Sequence, residues 1–267
     1  MTDRPDFTEA SSTVGKGRIQ LESGYTFVRD RTGGATTIGH SYPETLLRVG
    51  MFADWLEFRV GQNFGNTRTG AALGVFGVSD GGGTSGADSA GGPAGAGTGG
   101  GAASRTSGAE DLYLGAKIAL TEQKGALPET AVIFQGTVPT GSRDLTAGEV
   151  QPGVNLLYSW TVIDDRLSFG GSLQANRAID DTRHGYVEVA QSFTVGYGLT
   201  DKLGAYTEWF AFYPTGAIAP GVGPQHFFNG GFTYQFTPNL QFDIRAGVGL
   251  NRRADDFFVG SGFAVRY

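Results

Sequence analysis

The sequence contains no cysteine and no long apolar run, and each absence removes a class of protein. Without cysteine the chain can form no disulfide, no thiolate metal site and no thiol nucleophile. No segment approaches the roughly 18 consecutive apolar residues that a membrane-spanning helix needs, and mean hydropathy is −0.16. We therefore exclude a membrane protein built from helices.

Basic residues are also scarce. The 20 lysines and arginines are outnumbered by 26 acidic residues, which gives a net charge of −6, and they form no basic run. This balance argues against nucleic acid as a partner. After Met1 the chain continues Thr-Asp-Arg-Pro-Asp rather than with a leader. If the protein is exported, we expect that a signal peptide has been removed or that the start has been assigned too late.

Glycine and aromatic residues are abundant instead. Glycine supplies 45 of the 267 residues, and aromatic residues supply 12%. This composition favours turns and strand faces of small side chains over helices. The length suits one domain, because barrels of this size are often undivided.

The clearest pattern lies in the last part of the chain. Every second residue of one run is apolar, namely Leu240, Phe242, Ile244, Ala246, Val248 and Leu250. A second run puts Phe257, Val259, Phe263, Val265 and Tyr267 on one face. Such alternation predicts two strands, each with an apolar and a polar face. The aromatic end resembles the C-terminal strand by which outer-membrane barrels are recognised, so Phe263, Val265 and Tyr267 are predicted to be read by the barrel-assembly machinery.

The same alternation recurs along the chain. It predicts strands at 18–30, 43–52, 55–64, 111–120, 129–139, 151–161, 166–177, 186–199, 203–213, 226–236, 240–251 and 257–267. Connections at one end are mostly short, whereas those at the other end are mostly long, including 31–42 and a glycine-rich loop at 65–108. This asymmetry and an even strand count are typical of outer-membrane barrels. We therefore predict an all-β fold, a twelve-stranded antiparallel up-and-down transmembrane β-barrel at 18–267, preceded by an irregular segment at 1–17.

Aromatic residues fall near both ends of the predicted strands. Trp55, Trp160, Phe236 and Tyr267 lie at the short-turn end, and Phe27, Phe64, Tyr213, Phe228 and Phe257 lie near the long-loop end. This placement predicts two interfacial girdles that face outer-membrane lipid and lipopolysaccharide. The opposite strand face carries charges that a dry core could not hold.

Several short segments, spread over nearly the whole chain, carry a family resemblance. They are 2–9, 20–25, 43–50, 56–59, 115–117, 139–141 and 241–251. In these segments the chain resembles the MetA-pathway of phenol degradation family of outer-membrane proteins. The resemblance implies a transporting outer-membrane barrel, and the family name implies passage of aromatic compounds. It implies no catalytic residues.

Charges on the inner face are predicted to meet at the short-turn end, which would face the periplasm. Glu22, Arg48, Glu57, Arg59, Asp243, Arg245 and Arg266 lie low on strands that barrel closure makes neighbours. Opposite charges on paired strands stabilise each other. The segment 1–17 begins at the same mouth, and its Asp3, Arg4, Asp6, Phe7 and Glu9 are predicted to form a plug. Its acids would pair with Arg48, Arg59, Arg245 and Arg266; the alternative is a solvated pore lining with a free tail.

These patterns favour a channel or facilitator in the bacterial outer membrane for passive uptake of small solutes, including hydrophobic or aromatic compounds. The alternatives are a structural or surface-display barrel and an outer-membrane hydrolase. His40, His184 and His226 have no metal-ligand spacing and are expected in or beside outer loops. His40 and Ser41 would point to opposite sides of an extended strand. We therefore predict no enzyme, no cofactor and no metal site.

Overall fold

The computed structural model describes residues 2–32, 35–70, 104–180 and 182–267. Regular structure in these residues is β-strand, and none of it is a helix long and apolar enough to cross a membrane. The strands are β1 (Ile19–Thr32), β2 (Ala35–Gly50), β3 (Leu56–Gln62), β4 (Phe64–Gly70), β5 (Ser104–Ala109), β6 (Leu112–Thr121), β7 (Glu129–Val138), β8 (Gln151–Ile163), β9 (Leu167–Ile179), β10 (Gly185–Gly198), β11 (Leu203–Thr215), β12 (Gln225–Thr237), β13 (Leu240–Gly249) and β14 (Phe257–Arg266).

These strands close into one antiparallel barrel. The first strand, β1, pairs with β14 on one side and with β2 on the other. β3 and β4 pair with successive parts of β2, while β6 and β5 pair with β3 and β4. β3 and β4 therefore form one barrel strand, and β5 and β6 form the next. The result is a closed barrel of twelve strands, which confirms the predicted fold.

β13 illustrates how the sequence determines the two faces of the wall. Asp243 and Arg245 are buried inside the barrel, whereas Phe242 and Ile244 are 42% and 47% exposed on the outside. Successive side chains of a strand point to opposite faces, and a barrel in lipid turns its apolar face outward. The interior is consequently lined largely by polar and charged side chains.

The aromatic residues predicted as girdles lie on the outer face. Trp55 and Phe236 are more than half exposed beside short turns, and Phe64 and Phe228 are exposed toward the opposite end. Neighbouring rings also pack against each other along the bands, as Tyr234 and Phe236 do with a centroid distance of 5.0 Å. Two aromatic bands of this kind flank the lipid-facing belt of outer-membrane barrels.

The predicted loop at 31–42 is wrong, because β2 already begins at Ala35. The register between β1 and β2 shifts at Tyr25. Thr37 is buried on the far side of this shift and Arg48 on the near side, so the inward positions of β2 change from odd to even numbers. A bulge reverses the alternation in this way. A search for one unbroken alternation therefore does not recognise residues 35–42 as part of β2.

The predicted loop at 65–108 is shorter than expected. β4 and β5 extend into it from both ends and pair with each other from Phe64↔Ala109 to Thr69↔Ser104. The rest of this prediction, 71–103, lies outside the described residues. The two strands consist mainly of small and polar residues and so show no apolar alternation. A hairpin that extends the wall beyond the lipid belt needs no apolar face.

Candidate functional site

The N-terminal segment, residues 2–17, folds into the barrel interior. Near its start the Thr2 hydroxyl accepts a hydrogen bond of 2.8 Å from Gln241, at the short-turn end of β13. At its middle Phe7 lies against β11, well inside the barrel. The segment then turns back and leads into β1 at Ile19, again at the short-turn end. It therefore enters and leaves through the same mouth and crosses the lumen between.

The charged side chains of this segment are almost completely buried. Asp3 is 0% exposed, Glu9 is 2% exposed and Arg4 is 3% exposed. Charged residues are rarely buried to this degree unless they are paired, because an isolated buried charge is very costly. The wall must therefore supply complementary groups.

Asp3 is surrounded by three cations of the barrel wall. Its Oδ2 lies 3.3 Å from Arg48 Nε and 2.9 Å from Arg59 Nη1, and its Oδ1 lies 3.1 Å from Lys117 Nζ. Burial would raise the pKa of Asp3, but Arg48, Lys117 and Arg59 outweigh that effect and hold it below its usual range. Asp3 is thus ionised and links β2, β3 and β6 through one carboxylate.

Arg4 occupies a second charged pocket. Its guanidinium lies 3.1 Å from Glu44 Oε2 and 3.5 Å from Asp243 Oδ1. The floor of this pocket is the directly paired residues Gly24 and Gly262. A Cβ on either glycine would come within 2.3 Å of an Arg4 side-chain atom, so the absence of side chains there makes room for the guanidinium.

Glu9 and the returning part of the segment meet further wall charges. Glu9 Oε1 lies 2.9 Å from Arg59 Nη2. The backbone N–H of Val14 donates a 2.8 Å hydrogen bond to Glu57, which is itself held by Arg48 at 2.8 Å. The ion pairs of the wall and those of the segment therefore form one connected network.

The turn at the top of the segment is held by Glu208 on β11. The backbone N–H groups of Phe7 and Thr8 each donate a 2.7 Å hydrogen bond to this carboxylate, and the Thr8 hydroxyl donates a third. Asn229 on β12 donates to Glu208 from the wall side. Burial, followed by the nearby Glu208 carboxylate, raises the pKa of Asp6, which favours its protonated form.

The structure brings together Glu22, Arg48, Glu57 and Arg59 as neighbours, because Arg48 Nη1 lies 3.1 Å from Glu22 and Arg59 lies 3.5 Å from Glu57. Asp243 joins them through Arg4. Two predicted arginines make other contacts: Arg245 donates to the backbone oxygen of Pro5, and Arg266 donates to Gln20 on β1.

Three important partners are missing from the network predicted by sequence. Lys117 has the inward parity but was not assigned to it, and the bulge in β2 obscures the inward position of Glu44. The alternation does not identify Glu208 as an inward charge. It shares the inner face of β11 with Phe210 and Phe212, so the sequence pattern suggests that this face is apolar. Only the contacts of the N-terminal segment single it out.

The three histidines do not converge. His40 lies in β2 rather than in a loop, with Nδ1 2.9 Å from the Tyr25 hydroxyl, while His184 is exposed between β9 and β10 and His226 lies in β12. Among the described residues, no group of histidine, aspartate and glutamate side chains is arranged to hold a metal ion.

Comparison with solved structures finds the same barrel fold in several outer-membrane proteins. The COG4313 outer membrane channel from Pseudomonas putida F1 superposes with a TM-score of 0.66 at 12% identity, covering 96% of this chain and 98% of that one. The NanC porin gives 0.51 at 9%, covering 92% and 98%. The transport unit of the autotransporter AIDA-I from Escherichia coli gives 0.50 at 8%, covering 94% and 89%. Likeness at such identities shows a shared fold alone.

Comparison of sequences identifies the family. No curated protein matches the chain. The family model described as "Putative MetA-pathway of phenol degradation" matches residues 2–267, so the match includes the N-terminal segment inside the lumen as well as the barrel wall. The chain belongs to this family of outer-membrane β-barrels.

Proposed function

We propose that this protein is an outer-membrane channel for passive uptake of small solutes, and that the N-terminal segment closes it in the state described above. One observation carries the proposal. The lumen is filled by the N-terminal segment, which ion pairs and hydrogen bonds attach to the wall. It is not filled by side chains of the barrel strands alone. A segment held in this way can leave while the hydrogen-bonded barrel remains intact.

The composition of the inner wall supports a water-filled path. Beyond the charge network, the buried inward side chains include many amides and hydroxyls, among them Thr26, Gln135, Thr137, Asn155, Ser172, Gln174, Asn176 and Ser192. A polar interior is typical of barrels that conduct water and solutes. Twelve strands lie between the small barrels filled by side chains and the porins of about 16 to 18 strands, which indicates a narrow channel.

The space at the mouth supports a segment that moves. A cavity of about 60 Å³ lies beside the segment, bordered among others by Thr2, Gln20, Gln241 and Arg266. That volume accommodates a few water molecules, whereas pockets for organic ligands measure roughly 300 to 1,000 Å³. Solute passage by this route therefore requires displacement of the N-terminal segment.

Single-channel recording in planar bilayers tests the proposal. Deletion of residues 2–14 is expected to raise conductance several-fold over that of the full chain. The control is Arg177→Ala, which removes an exposed ion pair with Glu149 at the outer end and should leave conductance unchanged. If the truncated barrel conducts no differently from the full chain, the segment is not the closing element. A silent truncated barrel would favour a structural or surface-display protein, and cleavage of lipid or peptide would favour a hydrolase.

The assembly and surroundings of the barrel belong to the same proposal. Phe263, Val265 and Tyr267 lie on the lipid-facing side of the last strand, with Phe263 42% and Tyr267 79% exposed. We infer that the barrel-assembly machinery reads this face and that lipid and lipopolysaccharide surround the finished barrel. Removal of Tyr267 should lower the outer-membrane yield more than it changes the heat-modifiable gel migration of the barrel that does assemble. Normal yield from that variant would refute the assembly role.

A further inference from the structure

The lumen contains an aromatic patch, which we call the aromatic box. It consists of Phe210 and Phe212 on β11, Phe227 on β12 and Phe258 on β14, each at most 2% exposed. Phe210 and Phe227 stack with a centroid distance of 4.8 Å and an interplanar angle of 13°. Phe258 stands edge-on to Phe227 at 6.3 Å. The interior of outer-membrane barrels is typically polar, so a cluster of large rings on the inner face is unusual and offers an apolar surface to a group inside the lumen.

The present occupant is Phe7 of the N-terminal segment. Its ring stacks on Phe210 at 4.7 Å and 8°, and it meets Phe212 edge-on at 5.4 Å and 90°. These are the two geometries that aromatic pairs prefer. Phe7 therefore fits the box as a bound aromatic ring would.

A hydrogen-bond acceptor lies directly beside the box. Glu208 is two residues before Phe210 on the same face of β11, and it accepts two N–H bonds and one hydroxyl bond from Phe7 and Thr8. When the segment leaves, Glu208 loses these three donors and keeps the one from Asn229. A buried carboxylate that loses its donors favours a ligand that replaces them.

We propose that the aromatic box and Glu208 form a solute-binding site for a single aromatic ring that carries a hydrogen-bond donor, and that Phe7 is its internal competitor. The ring of the solute replaces the Phe7 ring, and its donor replaces the N–H groups of the segment at Glu208. Solute binding and seating of the segment at this point exclude each other. This inference rests on the proposed function, because it names the class of solute whose binding would displace the segment from the closed channel.

The chemistry of the site excludes close relatives of this solute class. A saturated ring fills the same volume but forfeits the stacking of aromatic faces. An aromatic ring without a donor leaves Glu208 unsatisfied, and an aromatic carboxylate adds a like charge beside it. Competition also sets the affinity, because a ligand for a rarely vacant site binds more weakly by the fraction of time that the site is vacant.

Equilibrium binding to the refolded full-length barrel in detergent tests the site independently of conductance. The probes are benzyl alcohol, toluene, which lacks the donor, and cyclohexylmethanol, which lacks the aromatic ring. The variant Phe7→Ala removes the competing ring and so weakens the seating of the N–H donors at Glu208. Phe227→Leu in that background removes one wall of the box. The matched control is Phe228→Leu in the same background, because Phe228 is the next residue along β12 but is 46% exposed on the lipid face.

Phe7→Ala should bind benzyl alcohol about tenfold more tightly than the parent chain, and it should gain less for toluene and cyclohexylmethanol. Phe227→Leu should remove most of the gain, whereas Phe228→Leu should preserve it. Equal affinity of the parent and Phe7→Ala, or equal losses from Phe227→Leu and Phe228→Leu, would overturn the site. A variant that gains affinity in a barrel that never conducts would support the site while refuting the channel. A truncated barrel that conducts without any gain in affinity would refute the site alone.

Discussion

At the scale of single residues, the lumen places charges where their environment decides their protonation. Asp3 faces Arg48, Arg59 and Lys117 at hydrogen-bonding distance and is ionised, whereas Asp6, three residues further on, is not matched in this way. The groups that act on Asp6 are Glu208 and Tyr206 on β11, Thr194 on β10, Arg245 on β13 and Asp3 of its own segment. Two acids of one short segment thus respond to pH in opposite senses.

This contrast predicts that the channel opens as pH rises. Burial and Glu208 raise the pKa of Asp6 above its usual value of 3.8, so the seated segment binds a proton that the released segment gives up. Seating is therefore strongest at low pH and weakens as pH rises through the raised pKa. Conductance of the full chain should therefore increase as pH rises above the ordinary pKa of aspartate. Asp6→Asn should flatten the profile, and a pH response that survives this substitution would contradict the assignment.

At the scale of elements, the paired glycines of β1 and β14 determine how deeply the segment is seated. Gly24→Val should displace the Arg4 guanidinium from Glu44 and Asp243, because even a Cβ at Gly24 would lie 2.3 Å from an Arg4 atom. Breaking a buried ion pair costs roughly 3 to 5 kcal/mol, enough to release the segment from this wall. The measurement is cleavage after Glu9, which is 2% exposed when the segment is seated, by a glutamate-specific protease acting on the folded barrel; this cleavage should become faster.

A double-mutant cycle isolates this effect from any damage to the wall. Arg4→Ala alone should raise conductance, and Gly24→Val should then add little, since the side chain with which it collides is gone. Additive effects of the two substitutions would show that valine acts on the barrel strands instead. Gly262→Val offers the same comparison from the β14 side of the pocket.

The elements also show what the sequence can and cannot predict. Lipid dictates an apolar outer face, so strands such as β13 carry a plain alternation and are found with nearly correct bounds. The alternation does not predict the upper half of β2, because a bulge in β2 opposite Tyr25 reverses its parity. It does not predict β4 and β5, because they lack an apolar face. At the site, the alternation of the strands correctly predicts that charged residues such as Arg48 and Asp243 point inward. The role of Glu208 does not, because it depends on where an irregular segment comes to rest.

At the scale of the whole molecule, the barrel and its segment divide the charge of the lumen between them. Residues 2–14 contain Asp3, Asp6 and Glu9 but only one basic residue, Arg4. Their removal takes away more negative than positive charge, and it deprives Arg59 and Lys117 of the segment's Asp3 and Glu9 carboxylates. Charges in a narrow lumen are poorly screened compared with those on a surface.

Deletion of residues 2–14 should therefore shift ion selectivity toward anions as well as raise conductance. The measurement is the reversal potential of the truncated barrel under a salt gradient, compared with openings of the full chain. Arg59→Gln in the truncated barrel should move the reversal potential back toward cations, because Arg59 then keeps only Glu57, 3.5 Å away, as a facing acid. Arg177→Ala is the control, since its partner Glu149 lies at the outer end and both side chains are about half exposed. A reversal potential that is unchanged by the deletion would mean that the ions follow a path away from Arg59 and Lys117, and that the segment closes the lumen without setting its charge.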